Sequence, residues 1–293
     1  MDRSSFKVPA LLLALTLMWG TNWALFRVAL DELPVLTFRS GALLSGTLML
    51  ALIMKIRGES FAIPRGRWPA LLVASATNVG IWNVATSMAV LYLPSGHASV
   101  LAYTMPLWVA LFGFIVFRQR LSGRLLAAII VGAAAVGTLM APNFASYAQA
   151  PLGLFWGLLA AVSWAIGTFV VKRTDWGGMG LALTFWQVAF TVPPIFAGMF
   201  AIDGMPTHLP STPTLAVMIY TGALPMAFGT VVWFMLVRLL PTQVAALSSI
   251  AIPIVAIVTG IVLLHEPLSL LQGVAIASTV ISLWLALVPS RTV

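Results

Sequence analysis

Stretches of about 20 apolar residues alternate with short polar connections along nearly the whole chain. A helix of that length, rising about 1.5 Å per residue, crosses the hydrocarbon core of a bilayer. The connections are rich in turn-forming residues, as in "DELP", "LPSGH" and "DWGGMG". The pattern therefore predicts ten transmembrane helices. We place them at residues 8–30, 34–55, 67–91, 95–117, 122–141, 151–171, 180–201, 212–237, 242–264 and 268–288.

The composition strengthens this interpretation. The 293 residues are 61% hydrophobic and 8% charged, whereas a soluble domain carries about 25% charged residues. We therefore predict an all-α integral membrane protein. The first apolar run follows Arg3 and Lys7, as in a signal peptide. It is longer than a signal segment and no small-residue cleavage site follows it, so we interpret it as a retained helix. The chain has no cysteine, which excludes disulfides and thiolate chemistry.

The net charge of +8 lies mainly in the connections between the apolar runs. If the N-terminus is cytoplasmic, all 15 lysine and arginine residues except Arg27 and Arg39 fall on the cytoplasmic side. Both termini are then cytoplasmic, in agreement with an even number of helices. This orientation bias explains the positive charge without a nucleic-acid partner, and we expect membrane lipid to surround the chain.

The two halves of the sequence resemble each other at a constant offset of 147 residues. The matches include Gly20 with Gly167, Leu36-Thr37-Phe38 with Leu183-Thr184-Phe185, and Pro106 with Pro253. We therefore predict two repeats, residues 1–146 and 147–293, that form one membrane domain of five plus five helices. Because five is odd, the second repeat enters the membrane in the opposite orientation. Inverted repeats are typical of transporters whose substrate site lies near the bilayer midplane.

The sequence offers no pattern of catalytic or metal-binding residues. His97, His208 and His265 are scattered, and no phosphate-binding glycine loop occurs. We predict that the protein is not an enzyme and needs no cofactor or metal. All seven acidic residues fall at helix ends or in loops, which argues against a proton relay of intramembrane carboxylates. Facilitated movement of a solute is favoured, and His97 is the residue whose titration would contradict this.

Polar and aromatic side chains at mid-span depth are the candidates for a substrate cavity. Interhelical hydrogen bonds and packing are the alternative for each of them. Stacking on tryptophan suits an aromatic or amphipathic substrate. The predicted substrate-binding residues are Trp19, Asn22, Asn78, Trp82, Asn83, Thr86, Tyr103, Trp164, Thr168, Trp186, Gln187, Thr230, Trp233 and Ser248. Trp68 and Trp176, at helix ends, are assigned to the membrane interface, and Trp108 is assigned to packing.

Two prolines and two arginines receive structural interpretations. Pro106 and Pro253 lie near the middle of predicted helices and remove a backbone donor there, so we predict hinges or a shaped cavity wall. Arg27 is placed to pair with Asp31 one turn later. We expect Arg39 to join a network of ion pairs with Arg27 at the outer helix ends, near Asp31 or Glu32.

Three segments resemble a known family. They are "MWGTNWALF" on the first helix, "PVLTFRSGALLSG" at the start of the second, and "LHEPLSLLQGVAI" between the ninth and tenth. They resemble the EamA branch of the drug/metabolite transporter superfamily, and the resemblance covers the whole chain. Within that family, its small size and many tryptophans make the chain most similar to the aromatic amino acid exporters of the YddG type. The chain departs from the family at "FRQRLS", where a Gly-Glu pair is common.

The resemblance implies an exporter in a bacterial cytoplasmic (inner) membrane, and the repeats imply alternating access. We expect small amphipathic metabolites, above all aromatic amino acids, as substrates. The alternative within transport is an exporter of cationic drugs or other metabolites, which the lack of a mid-span glutamate disfavours. The alternative of another class is a membrane scaffold or sensor that transports nothing. We expect a monomer or a weak homodimer.

Overall fold

The computed structural model describes residues 3–116, 149–239 and 252–265, with isolated positions between and after these ranges. The described residues form helices and connections, with no strand among them. The helices are α1 (Arg3–Leu30), α2 (Val35–Arg57), α3 (68–92), α4 (Ser95–Ile115), α5 (Pro151–Arg173), α6 (Gly180–Asp203), α7 (212–239) and α8 (Ile252–Leu264). They correspond to the first four and the sixth to ninth predicted helices. The fifth and tenth, at 122–141 and 268–288, are described only at isolated positions.

Six segments are long and apolar enough to cross a membrane. They are Val8–Leu30, Val35–Arg57, Ser95–Ile115, Pro151–Arg173, Gly180–Asp203 and Thr212–Trp233. The helix α3 is less apolar because Ser75, Thr77, Asn78 and Asn83 interrupt its hydrophobic sequence. The described helices therefore support a membrane protein, with α3 carrying much of the polar surface that the bundle encloses.

Four of the long helices depart from α-helical geometry in their interior. α3 and α7 contain π-helical segments at Ser75–Ile81 and Gly222–Phe228, and α6 ends in one at Met199–Asp203. α4 is interrupted at residues 103–104 and α6 at 190–191. Prolines accompany three of these departures: Pro106 starts the second half of α4, Pro193 and Pro194 follow the break in α6, and Pro225 lies within the π-helical segment of α7. Proline favours such sites because it lacks the backbone N–H that a continuous helix requires.

Close helix packing brings the two halves of the chain together. α5 packs along α3 and α4, α2 packs along α6 and α7, and α1 packs along α7 and α8. Small residues lie where backbones approach: a methyl group added to Gly222 would lie 2.0 Å from the carbonyl oxygen of Ala42. This is the packing that membrane helices use in place of large apolar side chains.

The bundle has one basic end and one acidic end. The basic end carries Lys55, Arg57, Lys172 and Arg173 at the C-termini of α2 and α5. An ion pair of 3.4 Å joins Arg67 and Asp175 in the loops at this end. The acidic end carries Asp31, Glu32 and Asp203, and we use these two names below.

Candidate functional site

A cavity of about 380 Å³ runs through the middle of the bundle between α1 and α7. It begins at Phe26 and Arg39, about one helical turn from the acidic end, and extends to Lys172 and Trp176 at the basic end. Its wall is mostly apolar, with a few polar groups. This combination is typical of small-molecule sites.

Most of the predicted substrate-binding residues line this cavity. They are Trp19, Asn22, Asn78, Trp82, Asn83, Tyr103, Trp164, Thr168, Gln187, Thr230 and Trp233. Thr86 lies behind the wall and binds Arg39. Trp186 lies outside it, where its indole N–H donates to the carbonyl oxygen of Phe61 at 2.7 Å. Ser248 lies outside the described residues. The substrate-binding role of all these residues remains a prediction.

Five aromatic rings form a continuous series along the cavity, which we call the aromatic wall. Trp233 lies 5.8 Å from Trp19, and Trp19 lies 6.2 Å from Trp164, measured between ring centroids. Trp164 lies 4.7 Å from Trp82, which in turn lies 6.1 Å from Tyr103. The rings are tilted or edge-on to one another, the arrangements that aromatic quadrupoles favour. They leave ring faces and edges for a flat ligand to contact.

Trp19 also connects two helices. Its indole N–H donates to the carbonyl oxygen of Pro225 at 2.7 Å, within the π-helical segment of α7. One turn along α1, the side-chain oxygen of Asn22 accepts a hydrogen bond from Thr221 at 2.9 Å. Asn22 therefore lines the cavity and makes an interhelical bond as well, so the two interpretations of this residue are compatible.

Polar contacts between α3 and α6 form the opposite wall. The Asn78 amide donates to the side-chain oxygen of Gln187 at 3.0 Å, and the Gln187 amide donates to the carbonyl oxygen of Leu183 at 3.3 Å. The Asn78 oxygen lies against Gly167 of α5, where an added methyl group would come within 2.0 Å of it. Asn78 of α3 is thus held in place from two neighbouring helices, α5 and α6.

The prediction for Arg39 was wrong. Its side chain does not reach Asp31 or Glu32; it points into the bundle and is 1% exposed. The guanidinium donates to Ser87 at 2.5 Å, to Asn83 at 3.0 Å and to Thr86 at 3.2 Å. The helical period explains the difference, because Arg39 lies one turn after Val35 on the buried face of α2.

Polar contacts close the acidic end of the bundle. Glu32 accepts hydrogen bonds from the Ser211 backbone N–H at 2.6 Å and from the Ser211 and Thr214 hydroxyls at 2.5 Å. These bonds, led by the one from the Ser211 hydroxyl, lower the pKa of Glu32 to about 2. Asp203 accepts from the backbone N–H of Thr37 at 2.7 Å and from its hydroxyl at 2.9 Å. The loop after α1 is thereby joined to α7, and α2 to the end of α6.

Arg27 follows its prediction more closely. It pairs with Asp31 at 3.1 Å and also donates to the carbonyl oxygen of Val90 at 3.2 Å. His97 is buried at the start of α4, where it is 8% exposed. Glycine, serine and alanine neighbours let the start of α4 pack inside the bundle.

Several cavity residues were not predicted. Trp23 and Phe26 follow Trp19 on α1, Thr221 and Pro225 lie on α7, and Lys172 lies at the basic end. Trp176 was assigned to the interface, but it is half-buried and lines the cavity, because its indole N–H folds back to the Val171 carbonyl at 2.7 Å. The signal that was available is the spacing of Trp19, Trp23 and Phe26 on one helical face.

The remaining assignments concern tryptophans, prolines and metals. Trp108 lies outside the aromatic wall and contacts Thr104 and Phe112, and Trp68 is 47% exposed. Pro106 follows the break in α4. Pro253 lies at the second position of α8, and the residues before this helix lie outside the described ranges, so its role as a hinge stays a prediction. Among the described residues, no three His, Asp or Glu side chains form a cluster that would hold a metal ion.

The sequence of this chain is similar to those of known transporters. The EamA-like transporter family matches residues 7–141 and again residues 151–288. The transporter YvbV of Bacillus subtilis (strain 168) is 30% identical over 284 residues, covering 94% of this chain and 90% of YvbV. A probable amino-acid metabolite efflux pump of Escherichia coli (strain K12) is 25% identical over 279 residues, covering 92% and 90%. The inner membrane transporter YedA of the same organism is 25% identical over 275 residues, covering 90% and 85%.

A crystal structure of another protein shows a similar fold. It superposes with a TM-score of 0.75 at 19% sequence identity and covers 100% of both chains. Since the family match spans almost the whole sequence and occurs once in each half, the chain belongs to the EamA-like transporter family.

Proposed function

We propose that this transporter exports aromatic amino acids and related amphipathic metabolites from the cytoplasm. The observation that carries the proposal is the aromatic wall in a central cavity that is closed towards the acidic end and reaches the basic end. A ligand with a flat apolar part matches such a wall. The name of the similar Escherichia coli protein, an amino-acid metabolite efflux pump, supports the substrate class.

The architecture that we propose is ten helices in two inverted repeats, residues 1–146 and 147–293, in a bacterial inner membrane with both termini cytoplasmic. The double family match supports the duplication. Helix contacts support a twofold relation of the repeats, because α1 packs along α8 and α5 packs along α4. Helix directions support the inversion, because α1 ends at the acidic end and its counterpart α5 ends at the basic end. Alternating access then consists of rocking one repeat against the other, with Pro106 and Pro253 as hinges.

Facilitated movement without tight proton coupling is the mechanism that the cavity favours. Its lining includes Arg39 and Lys172 but no aspartate or glutamate among the described residues. A proton relay normally uses an intramembrane carboxylate or histidine. The same lack of a carboxylate disfavours the second candidate, an exporter of cationic drugs, since a desolvated cation needs an anionic partner.

The test is transport by the purified protein in liposomes. We expect saturable uptake of radiolabelled tryptophan and phenylalanine that does not require a pH gradient. Trp164→Ala removes a ring from the aromatic wall and should raise KM about threefold to tenfold. Trp108→Ala is the matched control, because this tryptophan lies outside the wall.

Three outcomes contradict parts of the proposal. Absence of uptake by folded protein excludes aromatic amino acids as substrates, and uptake of quaternary ammonium dyes in their place favours the drug exporter. Uptake that depends strongly on the pH gradient overturns the facilitated mechanism and directs attention to His97. Transport of nothing, together with a stable soluble partner, favours the scaffold or sensor.

A further inference from the structure

The closed end of the cavity contains a buried positive charge. Arg39 is 1% exposed, and no aspartate or glutamate pairs with it within the described ranges 3–116, 149–239 and 252–265. Its three hydrogen-bond acceptors, on Ser87, Asn83 and Thr86, are all neutral. A buried charge with only neutral partners is costly. Because arginine stays protonated in proteins, it does not escape this cost by losing its proton.

The surroundings of Arg39 hold it in a fixed orientation. The guanidinium carbon lies 4.0 Å from the ring centroid of Phe26 and 4.9 Å from that of Phe38. The Asn83 amide group donates to the Val79 carbonyl oxygen at 2.8 Å, which turns the Asn83 oxygen towards Arg39. Three of the five guanidinium N–H groups are used in these bonds. One N–H on each terminal nitrogen is unused by the described residues, and a carboxylate has two oxygens to accept them.

The cavity connects this charge to the aromatic wall. Phe26 contacts Trp23 at 5.7 Å, and Trp23 contacts Tyr103 at 6.0 Å, so rings continue from Arg39 to the wall. Lys172 adds a second positive charge at the basic end. An anionic group attached to an aromatic ring therefore matches both the charge and the shape. Among the described residues that line the cavity, an ammonium group meets only neutral oxygens, such as those of Asn22 and Gln187.

We propose that Arg39 binds the carboxylate of an aromatic acid whose ring lies against the aromatic wall, and that the amino group of the substrate is dispensable. The inference rests on the proposed function and sharpens it, because it makes aromatic monocarboxylates the substrate class. Amino acids are then transported as members of that class. Neutral and cationic analogues with the same ring bind more weakly because they offer the Arg39 guanidinium no anionic partner, and the size of the cavity is not the cause.

Four ligands with one ring system test this on the unmodified protein. They are indole-3-propionate, L-tryptophan, L-tryptophanamide and tryptamine, each titrated calorimetrically into the purified transporter. We expect indole-3-propionate to bind at least as tightly as tryptophan. We expect the amide and the amine to bind about tenfold to a hundredfold more weakly, the range that a charge-assisted hydrogen bond spans. Tryptamine binding as tightly as indole-3-propionate overturns the inference but leaves aromatic transport intact. If none of the four binds, the proposed function fails as well.

The Arg39→Gln variant tests whether Arg39 causes the preference for indole-3-propionate over tryptamine. We expect its affinities for indole-3-propionate and tryptamine to become similar, while a thermal melt shows that it is folded. Arg27→Gln is the matched control, because it removes the same charge from a surface ion pair outside the cavity and should keep the preference. An Arg39→Gln protein that keeps the preference overturns the assignment. If this variant does not fold, the four-ligand series on the native protein decides the inference.

Discussion

Glu32 joins the loop after α1 to the start of α7 at the acidic end of the bundle. Its carboxylate accepts three hydrogen bonds from Ser211 and Thr214 at the start of α7. These bonds lower its pKa from 4.5 to about 2, so they stabilise the ionised form. The sign follows from linkage: the stabilisation is complete above about pH 4.5 and is lost as the pH falls towards 2. Between pH 5 and 8, Glu32 therefore contributes no pH dependence.

We predict that Glu32→Gln lowers the melting temperature of the detergent-solubilised protein by a few degrees at pH 7. The difference from the native protein should shrink between pH 5 and pH 3, because the native carboxylate loses its own advantage there. Glu59→Gln provides the control, since Glu59 makes one surface ion pair of 3.0 Å with Arg57 at the other end. A difference that stays constant down to pH 3 would mean that the Glu32 charge is not what holds the contact.

At the same scale, the sequence predicted polar residues better than charged ones. Asn22, Asn78 and Gln187 were assigned to the cavity because a polar side chain that faces lipid finds few hydrogen-bond partners. Arg39 was misplaced because an arginine near a helix end can extend to the interface, and composition alone does not tell which face it occupies. Trp176 was not predicted to line the cavity, because the fold of its loop over the basic end depends on glycines at positive φ.

Helices α2 and α7 meet at a backbone contact that only glycine permits. A methyl group on Gly222 would lie 2.0 Å from both the Ala42 carbonyl oxygen and the Ser45 hydroxyl. A shift of either helix would displace Arg39 on α2 or Thr221 on α7. The close approach therefore fixes the distance between two sides of the cavity.

We predict that Gly222→Ala destabilises the protein by about 1–3 kcal/mol, the usual cost of overpacking. Gly80→Ala is the matched control: Gly80 also lies in a π-helical segment, but its added methyl group would meet Thr191 at an ordinary 3.5 Å. We expect Gly80→Ala to be neutral or to stabilise by about 0.4–1 kcal/mol through the unfolded state. Thermal melts of both variants check this, and equal melting temperatures would contradict the proposed contact.

The positions of the helices could be predicted from the lengths of the apolar runs, but the irregularities within the helices could not. The predicted ranges 34–55, 151–171 and 212–237 agree with α2, α5 and α7 to within two residues at each end. Pro106 indicated the interruption of α4, whereas the break at 190–191 was not predicted. A π-helical segment changes which face of the helix a residue occupies without changing the hydropathy of the sequence. The segments in α3 and α7 therefore could not be predicted from the pattern of apolar and polar residues.

The whole molecule is asymmetric along the axis of its helices. Contacts of Glu32 and Asp203 join elements at the acidic end, while the cavity reaches Lys172 and Trp176 at the basic end. If the basic end is cytoplasmic, the described conformation is open inward. In the alternating access that we propose, opening to the other side breaks the bonds of Glu32 to Ser211 and of Asp203 to Thr37.

The orientation itself is testable because the chain contains no cysteine. Single cysteines can be introduced at Ala62, in the exposed loop at the basic end, and at Thr207, in the exposed loop at the acidic end. We predict that a membrane-impermeant maleimide labels Thr207→Cys in intact cells and labels Ala62→Cys only after the membrane is permeabilised. Basic residues favour the cytoplasmic side, so this is the pattern that the charge bias requires. The reverse labelling pattern would mean that the open end of the cavity faces the outside of the cell. The export direction that we propose would then no longer follow from this conformation.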